Sequence, residues 1–230
     1  MTTFITVYYN GNLEKLAASI SNHHELVVFT HSENPIPPLS RPVTLFNYRT
    51  NRGLSKSWNE GIIYGLGESV ILVNDDVYFD TPMEADKMAE LSKAYPIITA
   101  AGFGYSCFGL RNDLFFDVGG FDQNIFPAYY EDCDYSWRIG LAGYKYADLD
   151  IKVHHVGSGT IKNDPALNAQ NFKTMQATQR YYILKWGGIN SHEKYKHPFN
   201  DPRYSYAIPL NKIHNPYDTY DRRDQGIVKL

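Results

Sequence analysis

The sequence predicts an α/β protein: a mixed, mostly parallel sheet flanked by helices, with a C-terminal helix and an irregular tail. Three observations carry this. Short apolar runs such as "TFITVYY", "ELVVFT" and "SVILVN" alternate with segments of helical spacing, and strands alternating with helices imply parallel pairing with helices on the faces of the sheet. The stretch "PALNAQNFKTMQATQRYYILKW" reads as one long helix and starts with Pro165 in its first turn, where a missing N–H is tolerated. From Gly187 onward the chain is rich in Pro, Tyr, His and Asn and has little periodicity.

Taken in order, residues 3 to 9 read as a buried strand, Asn10-Gly11-Asn12 as a turn, and "LEKLAASI" as a helix. "ELVVFT" is the second strand, and a Pro-rich connection leads to a third, "VTLFNY". "LSKSWNEGIIYGL" has helical spacing through Leu54, Trp58, Ile62 and Leu66. "SVILVN" is the fourth strand. "MEADKMAELSKAY" is a helix, "PIITAAGFGYSCFGLR" one or two strands with Gly kinks, and "NDLFFDVGGFD" a short helix closed by glycines. "YYEDCDYSWRIGLAGY" is a helix ending near Gly143, and "KYADLDIKVHHVGSGT" is strand-like. The expected division is a domain over 1–186 and an extension over 187–230, either packed on the core or forming a lid.

A length of 230 residues suits one sizeable α/β domain. With 43% hydrophobic and 20% charged residues the chain is globular. A net charge of −3 argues against a general electrostatic grip on nucleic acid or anionic membrane, leaving a local basic groove open. Cys107 and Cys133 make neither a metal pair nor a disulfide framework. The N-terminus enters a strand pattern without the basic and apolar regions of a signal peptide, and no run of 18 apolar residues occurs. The expectation is a cytoplasmic protein with no membrane span.

Four stretches carry chemistry. In Asn74-Asp75-Asp76, two carboxylates stand at the carboxyl end of a strand, where open α/β sheets bind ligands. Oxygen ligands grouped there suit Mg²⁺ or Mn²⁺, although the same tripeptide also reads as a solvated turn. In "NRGLSKSWNEG", Asn51 and Gly53 make a turn before a helix whose N-terminus can meet phosphate; an ordinary strand-to-helix loop has the same look. In "YYEDCDYSWR", Asp132 and Asp134 point about 200° apart on a helix, and Asp134 can pair with Arg138 on the surface. Asp132 is then the freer carboxylate and the better general base, against a plain reading as a capped helix with a salt bridge. In "VHHVGSG", strand alternation sends His154 and His155 to opposite faces, so one can ligate a metal while the other is packed or exposed.

Together, in this order, these stretches resemble glycosyltransferase family 2 with the GT-A fold, over residues 3 to 186. The resemblance runs through Tyr9-Asn10, Asn51-Arg52-Gly53, Asn59-Glu60-Gly61, Asn74-Asp75-Asp76, "VGGFDQNIFPAYYEDCDYSWR" and His155-Val156-Gly157-Ser158-Gly159. It implies that Asp76 ligates the metal, with His155 as additional ligand and His154 as fallback. Asn74 and Asp75 would contact ribose, diphosphate or metal-bound water. Tyr8, Tyr9, Asn51, Arg52 and Asn59 would line the nucleotide pocket, Asp132 would be the base, and Glu131 would touch the acceptor. Two departures stand out. Asn74 replaces the first Asp of the motif, and Thr30-His31-Ser32-Glu33 stands where the family often has an acidic residue and a small-residue turn, which leaves the base open.

The implied reaction moves a hexose from a nucleoside-diphosphate sugar, UDP-hexose being the expected donor, to a glycan or other hydroxyl acceptor, with inversion and a Mn²⁺ or Mg²⁺ cofactor. Modified DNA as acceptor is disfavoured by the acidity of the chain, and a homo-oligomer is compatible with the sequence. The rivals are a degenerate GT-A fold that binds sugar or nucleotide or acts as a scaffold, and a nucleotidyltransferase. The latter would want a Gly-rich basic loop after the first strand, where this chain has "NGNLEK". The tail tyrosines Tyr195, Tyr204, Tyr206, Tyr217 and Tyr220 can stack on sugars or serve packing. His192, His197 and His214 read as surface or packing residues.

Overall fold

A computed structural model describes residues 1–31, 35–48, 50–65, 67–156 and 165–212. The expectations placed on Ser32-Glu33, Leu66, the Gly157-Ser158-Gly159 turn, His214, Tyr217 and Tyr220 fall outside the described residues. The chain divides into two compact units. The first comprises Met1–Arg52, Ser57–Phe115 and Lys145–Asp164, and the second Gly53–Lys56, Phe116–Tyr144 and Pro165–Leu230.

The first unit holds the sheet. Its strands are β1 (Thr3–Tyr8), β2 (Glu25–Thr30), β3 (Thr44–Asn47), β4 (Ser69–Val73), β6 (Ile97–Ala100), β7 (Gly104–Arg111) and β8 (Ala147–Leu149), in the order β3-β2-β1-β4-β7-β6-β8. β1 pairs in parallel with β2 and β4, and β2 with β3. β7 enters antiparallel between β4 and β6, which makes the sheet mixed. Apart from it lies a two-stranded antiparallel ribbon of β5 (Val77–Phe79) and β9 (Val153–His155).

Burial on both faces explains the unbroken apolar runs. On one face Phe4, Val28, Ile71 and Val73 pack with Leu13, Leu16 and Ala17 of α1 (Leu13–Ala18) and with Met88 and Ala89 of α3 (Pro82–Ala94). Trp58 of α2 (Leu54–Tyr64) meets Phe108 edge-on. Because β1, β2, β3 and β4 run parallel, their carboxyl ends share one edge of the sheet. That edge carries residues 9–11, His31, Tyr48 and 74–76.

The amino ends carry a different cluster. His24 is buried, and its Nδ1 accepts the Thr2 backbone N–H at 3.1 Å. An amide N–H can only donate, so in the neutral ring Nε2 holds the proton and gives it to Asp86 at 3.0 Å. Burial, then the neighbouring His23, pushes the His24 pKa down. The unfolded chain therefore takes up this proton at a higher pH than the fold does. Stability is fully present above about pH 6.5 and falls as the pH drops through that value, with a ceiling slope of about 1.4 kcal/mol per pH unit for one proton. Urea unfolding at pH 7.5 and 5.5 should show this loss, and His24→Gln should shrink it.

The second unit is helical. It contains the last residues of α4 (Asn112–Val118), then α5 (Glu131–Leu141) and α6 (Pro165–Trp186). The sequence places the Asp134–Arg138 pair on the surface, and the structure corrects that. Both side chains are 0% exposed, with Arg138 Nε 2.8 Å from Asp134 Oδ2. The reason is a second cation and further donors. Lys185 Nζ reaches both Asp134 and Asp122, Trp186 Nε1 donates to Asp134, and Tyr181 Oη to Asp122. Burial alone would raise the Asp134 carboxyl, and Lys185 and Arg138 outweigh it and hold it below the ordinary range. The described part of the tail packs within this unit. Trp137 Nε1 donates to Tyr195 O, and Ile208 exchanges backbone bonds with Val118 and Gly120. Gly119, at φ +81°, is required there, because a Cβ would fall 1.8 Å from Ile208 O. The two cysteines are free.

Candidate active site

At the carboxyl edge of the first unit, Asp75 turns toward the protein itself. Its Oδ2 accepts three consecutive backbone N–H groups, from Tyr9 (2.8 Å), Asn10 (3.1 Å) and Gly11 (2.8 Å). Burial raises the Asp75 carboxyl and these three donors oppose the rise. The carboxylate thus clasps the loop after β1 to the end of β4. Gly11 makes the approach feasible, since a Cβ would lie 2.3 Å from Asp75 O. Gly11→Ala should open the clasp and cost roughly 1–3 kcal/mol, the scale for stranding buried polar groups. A urea titration of the variant checks it.

Asp76 points to β9. Its Oδ2 lies 3.1 Å from His155 Nε2, and its carbonyl accepts the Val156 N–H at 2.9 Å. β5 and β9 set this up, because Val77 pairs with His155 in register. The alternation expected for the two histidines is present. His154 instead meets Asp80 at 2.8 Å and stacks on Tyr78, while Phe103 stands edge-on to His155. The Asp76–His155 spacing fits a metal centre. Adjacent ligands on an octahedral ion with bonds of about 2.1 Å sit about 3.0 Å apart, and an oxygen–nitrogen donor set suits Mn²⁺. Among the described residues, one group of three metal-type donors closes to within 4.8 Å, His23, His24 and Asp86. There the Thr2 N–H leaves the proton on His24 Nε2, so that atom has no lone pair for an ion.

The expected nucleotide pocket is partly filled by its own residues. Arg52 forks onto Glu60, at 2.6 and 3.1 Å, and lies over the Tyr48 ring, whose hydroxyl also reaches Glu60. His31 Nε2 bonds Ser57 Oγ at 2.8 Å, and its ring also bonds the Asn51 side chain. Burial, then Arg52, pushes the His31 pKa down. Asn59 is 1% exposed and lies inside α2's buried face. Tyr8 is half-buried, its phenol pushed up by burial and then by Asp75, while Tyr9 is exposed. Asn74 is half-buried, its N–H bonded to Ser106 O.

Asp132 and Glu131 belong to the second unit, in the first turn of α5. Tyr129 and Tyr130 precede them at φ 74° and 73°, a backbone region costly for non-glycine residues and common at functional sites. Asp132 is half-buried, with Oδ1 accepting the Cys133 N–H at 2.7 Å. Glu131 is buried, its Oε2 without a hydrogen-bond partner. Burial, then Asp132, pushes its carboxyl up to about 8.

Sequence reasoning missed β5, Phe103, Tyr105 and Tyr146. Tyr105 and Tyr146 join hydroxyls beside the carboxyl edge. The three apolar residues Val77-Tyr78-Phe79 of β5 are too few to have marked it as a strand.

The sheet order and flanking helices are those of the GT-A, Rossmann-like fold. Among solved structures, the chain is similar to a mannosyltransferase from Pyrobaculum calidifontis in complex with GDP-Man and Mn²⁺, at TM-score 0.54 and 14% identity over 80% of this chain and 61% of that one. It is likewise similar to GalNAc-T7 with UDP, GalNAc and Mn²⁺, at TM-score 0.52 and 13% identity over 80% of this chain and 50% of that one. The chain thus spans about three fifths and one half of these two proteins. No protein-family model and no curated protein matches the sequence. Among the described residues, no helix is long and apolar enough to cross a membrane.

Proposed function

We propose that the chain is a metal-dependent glycosyltransferase. It moves a hexose from a nucleoside-diphosphate sugar, UDP-hexose first among donors, to an acceptor hydroxyl with inversion, as family 2 members do. The observation that carries the reading is the Asp76–His155 pair at a 3.1 Å spacing beside the carboxyl edge of a GT-A sheet. The mannosyltransferase and GalNAc-T7 structures are complexes with Mn²⁺ and a nucleotide or nucleotide sugar.

Asp76 and His155 would hold Mn²⁺ or Mg²⁺, which supplies charge neutralisation for the departing diphosphate. Asp75 keeps the β1 loop closed, so that Tyr8 and Tyr9 stand at a fixed place for the nucleoside. Asn74 offers an amide to ribose or diphosphate, and Arg52, Asn51 and Asn59 shape the pocket around it. Asp132 removes the proton from the acceptor hydroxyl as it attacks the anomeric carbon, through an oxocarbenium-like state. Glu131, whose carboxyl holds its proton at neutral pH, contacts the acceptor beside it. In this reading residues 1–186 are the transferase region and 187–230 an extension.

The test is thermal stability with UDP, GDP, dTDP and CMP, each with and without Mn²⁺. A ligand that binds only the fold raises the Tm, by about 2.7 kcal/mol of stability at a hundredfold excess over Kd. One nucleotide should do so only with Mn²⁺, and Asp76→Ala should abolish the rise. A rise that survives Asp76→Ala would remove Asp76 from the metal site.

A further inference from the structure

We propose that the open pocket of about 410 Å³ beside the β5–β9 ribbon, built on Phe103 and the Asp80–His154 pair, is a carbohydrate subsite for an uncharged hexose residue of the acceptor. The word acceptor rests on the transferase reading above. The saccharide site itself rests on the lining.

That lining is amphipathic in the way a sugar is. Phe103 and Ala101 supply the accessible apolar surface, backed by the buried side chains of Ile151 and Val153, and an aromatic face suits the C–H face of a pyranose. Asp80, His154, Asp150 and Lys152 supply the charged and polar groups of the same lining. Each carboxylate is already bonded to a nitrogen, Asp80 to His154 at 2.8 Å and Asp150 to Lys152 at 2.5 Å. At the Asp150–Lys152 pair a charged ligand would be drawn to one member and repelled by the other. A hydroxyl donates to either carboxylate, each of which keeps lone pairs beyond its present bond, and accepts from the N–H groups that Lys152 keeps beyond Asp150.

The pocket is also preorganised. Tyr78 stacks on His154, with ring centroids 5.0 Å apart. The Asp80 N–H donates to Lys152 O at 3.0 Å, and the Lys152 N–H donates to Glu84 Oε2 at 2.9 Å. Lys87 Nζ holds the Asp150 carbonyl. These bonds order the backbone and the His154 ring before a ligand arrives. The position ties the pocket to the reaction centre of the same unit. Phe103 stands edge-on to His155, 6.3 Å between centroids, so a sugar against Phe103 lies one side chain from the Asp76–His155 pair.

The experiment uses the full chain, ¹⁵N-labelled, titrated with the methyl glycosides of glucose, galactose, mannose and N-acetylglucosamine without nucleotide. At least one should bind with a Kd on the order of millimolar and shift the amides of residues 101–103 and 150–154. Ala101→Trp, which fills the pocket from an exposed position, should abolish binding. Asp80→Ala should weaken it about three- to tenfold, as expected for a lost hydrogen bond. Failure of all four glycosides, or binding that survives Ala101→Trp, overturns the subsite. A parallel titration with UDP and GDP plus Mn²⁺ separates the two ideas. Nucleotide binding without glycoside binding leaves the transferase and removes the subsite. Glycoside binding without nucleotide binding leaves the subsite and removes the transferase.

Discussion

Lys185→Met should destabilise the protein by about 3–5 kcal/mol, the scale for breaking a buried ion pair from one side. The ammonium is 0% exposed and lies 2.8 Å from Asp122 Oδ2, with Asp134 on its other side. Methionine fills much of the same volume, so the loss is electrostatic rather than a cavity. Asp134 keeps Arg138 and Trp186, but Asp122 keeps only the Tyr181 hydroxyl among the side-chain bonds described for Oδ2. Urea unfolding by circular dichroism measures this directly. A change under 1 kcal/mol would mean that Asp122 is easily rehydrated. An Asp122→Asn, Lys185→Met double variant should recover part of the loss, because it removes the stranded charge.

Asp132→Asn should lower turnover by about 10²–10⁴-fold, the usual contribution of a positioned general base, while leaving the Tm nearly unchanged. The amide is isosteric and its oxygen can still accept the Cys133 N–H, so the first turn of α5 is preserved. Product formation from a nucleotide sugar, at saturating donor, is the measurement. Full activity in this variant would move the base elsewhere, and Glu131 would be the first residue to examine. Its protonated state at neutral pH makes it a poor base below about pH 8, so activity carried by Glu131 would rise with pH through that value.

Much of this architecture was legible in the chain. The apolar runs marked β1, β2 and β4 because strands buried on both faces need no polar alternation. The boundaries of α6 were legible because Pro165 and Gly187 punctuate it. The position of β7 was not, since an antiparallel strand between two others depends on long-range pairing that no local pattern encodes. The ribbon strand β5 is three residues long, too short to show a period. In the candidate site, strand alternation separated His154 from His155. The resemblance joined Asp76 to His155, whereas the partner of His154 was invisible, because Asp80 lies 74 residues away along the chain. Spacing four apart found the Asp134–Arg138 pair, but Lys185 and Asp122, which draw it inside, come from elsewhere. The inward turn of Asp75 was hidden for a simpler reason. Side-chain chemistry says what a carboxylate can accept, not that three main-chain amides will claim it first.

The two units are interleaved rather than consecutive. The backbone passes from one to the other after residues 52, 56, 115, 144 and 164. No single cut of the gene yields either unit whole, so neither is a portable module that recombination could lift into another protein. Asp76 and His155 sit in one and Asp132 in the other, and the two sets of residues are inherited together or lost together.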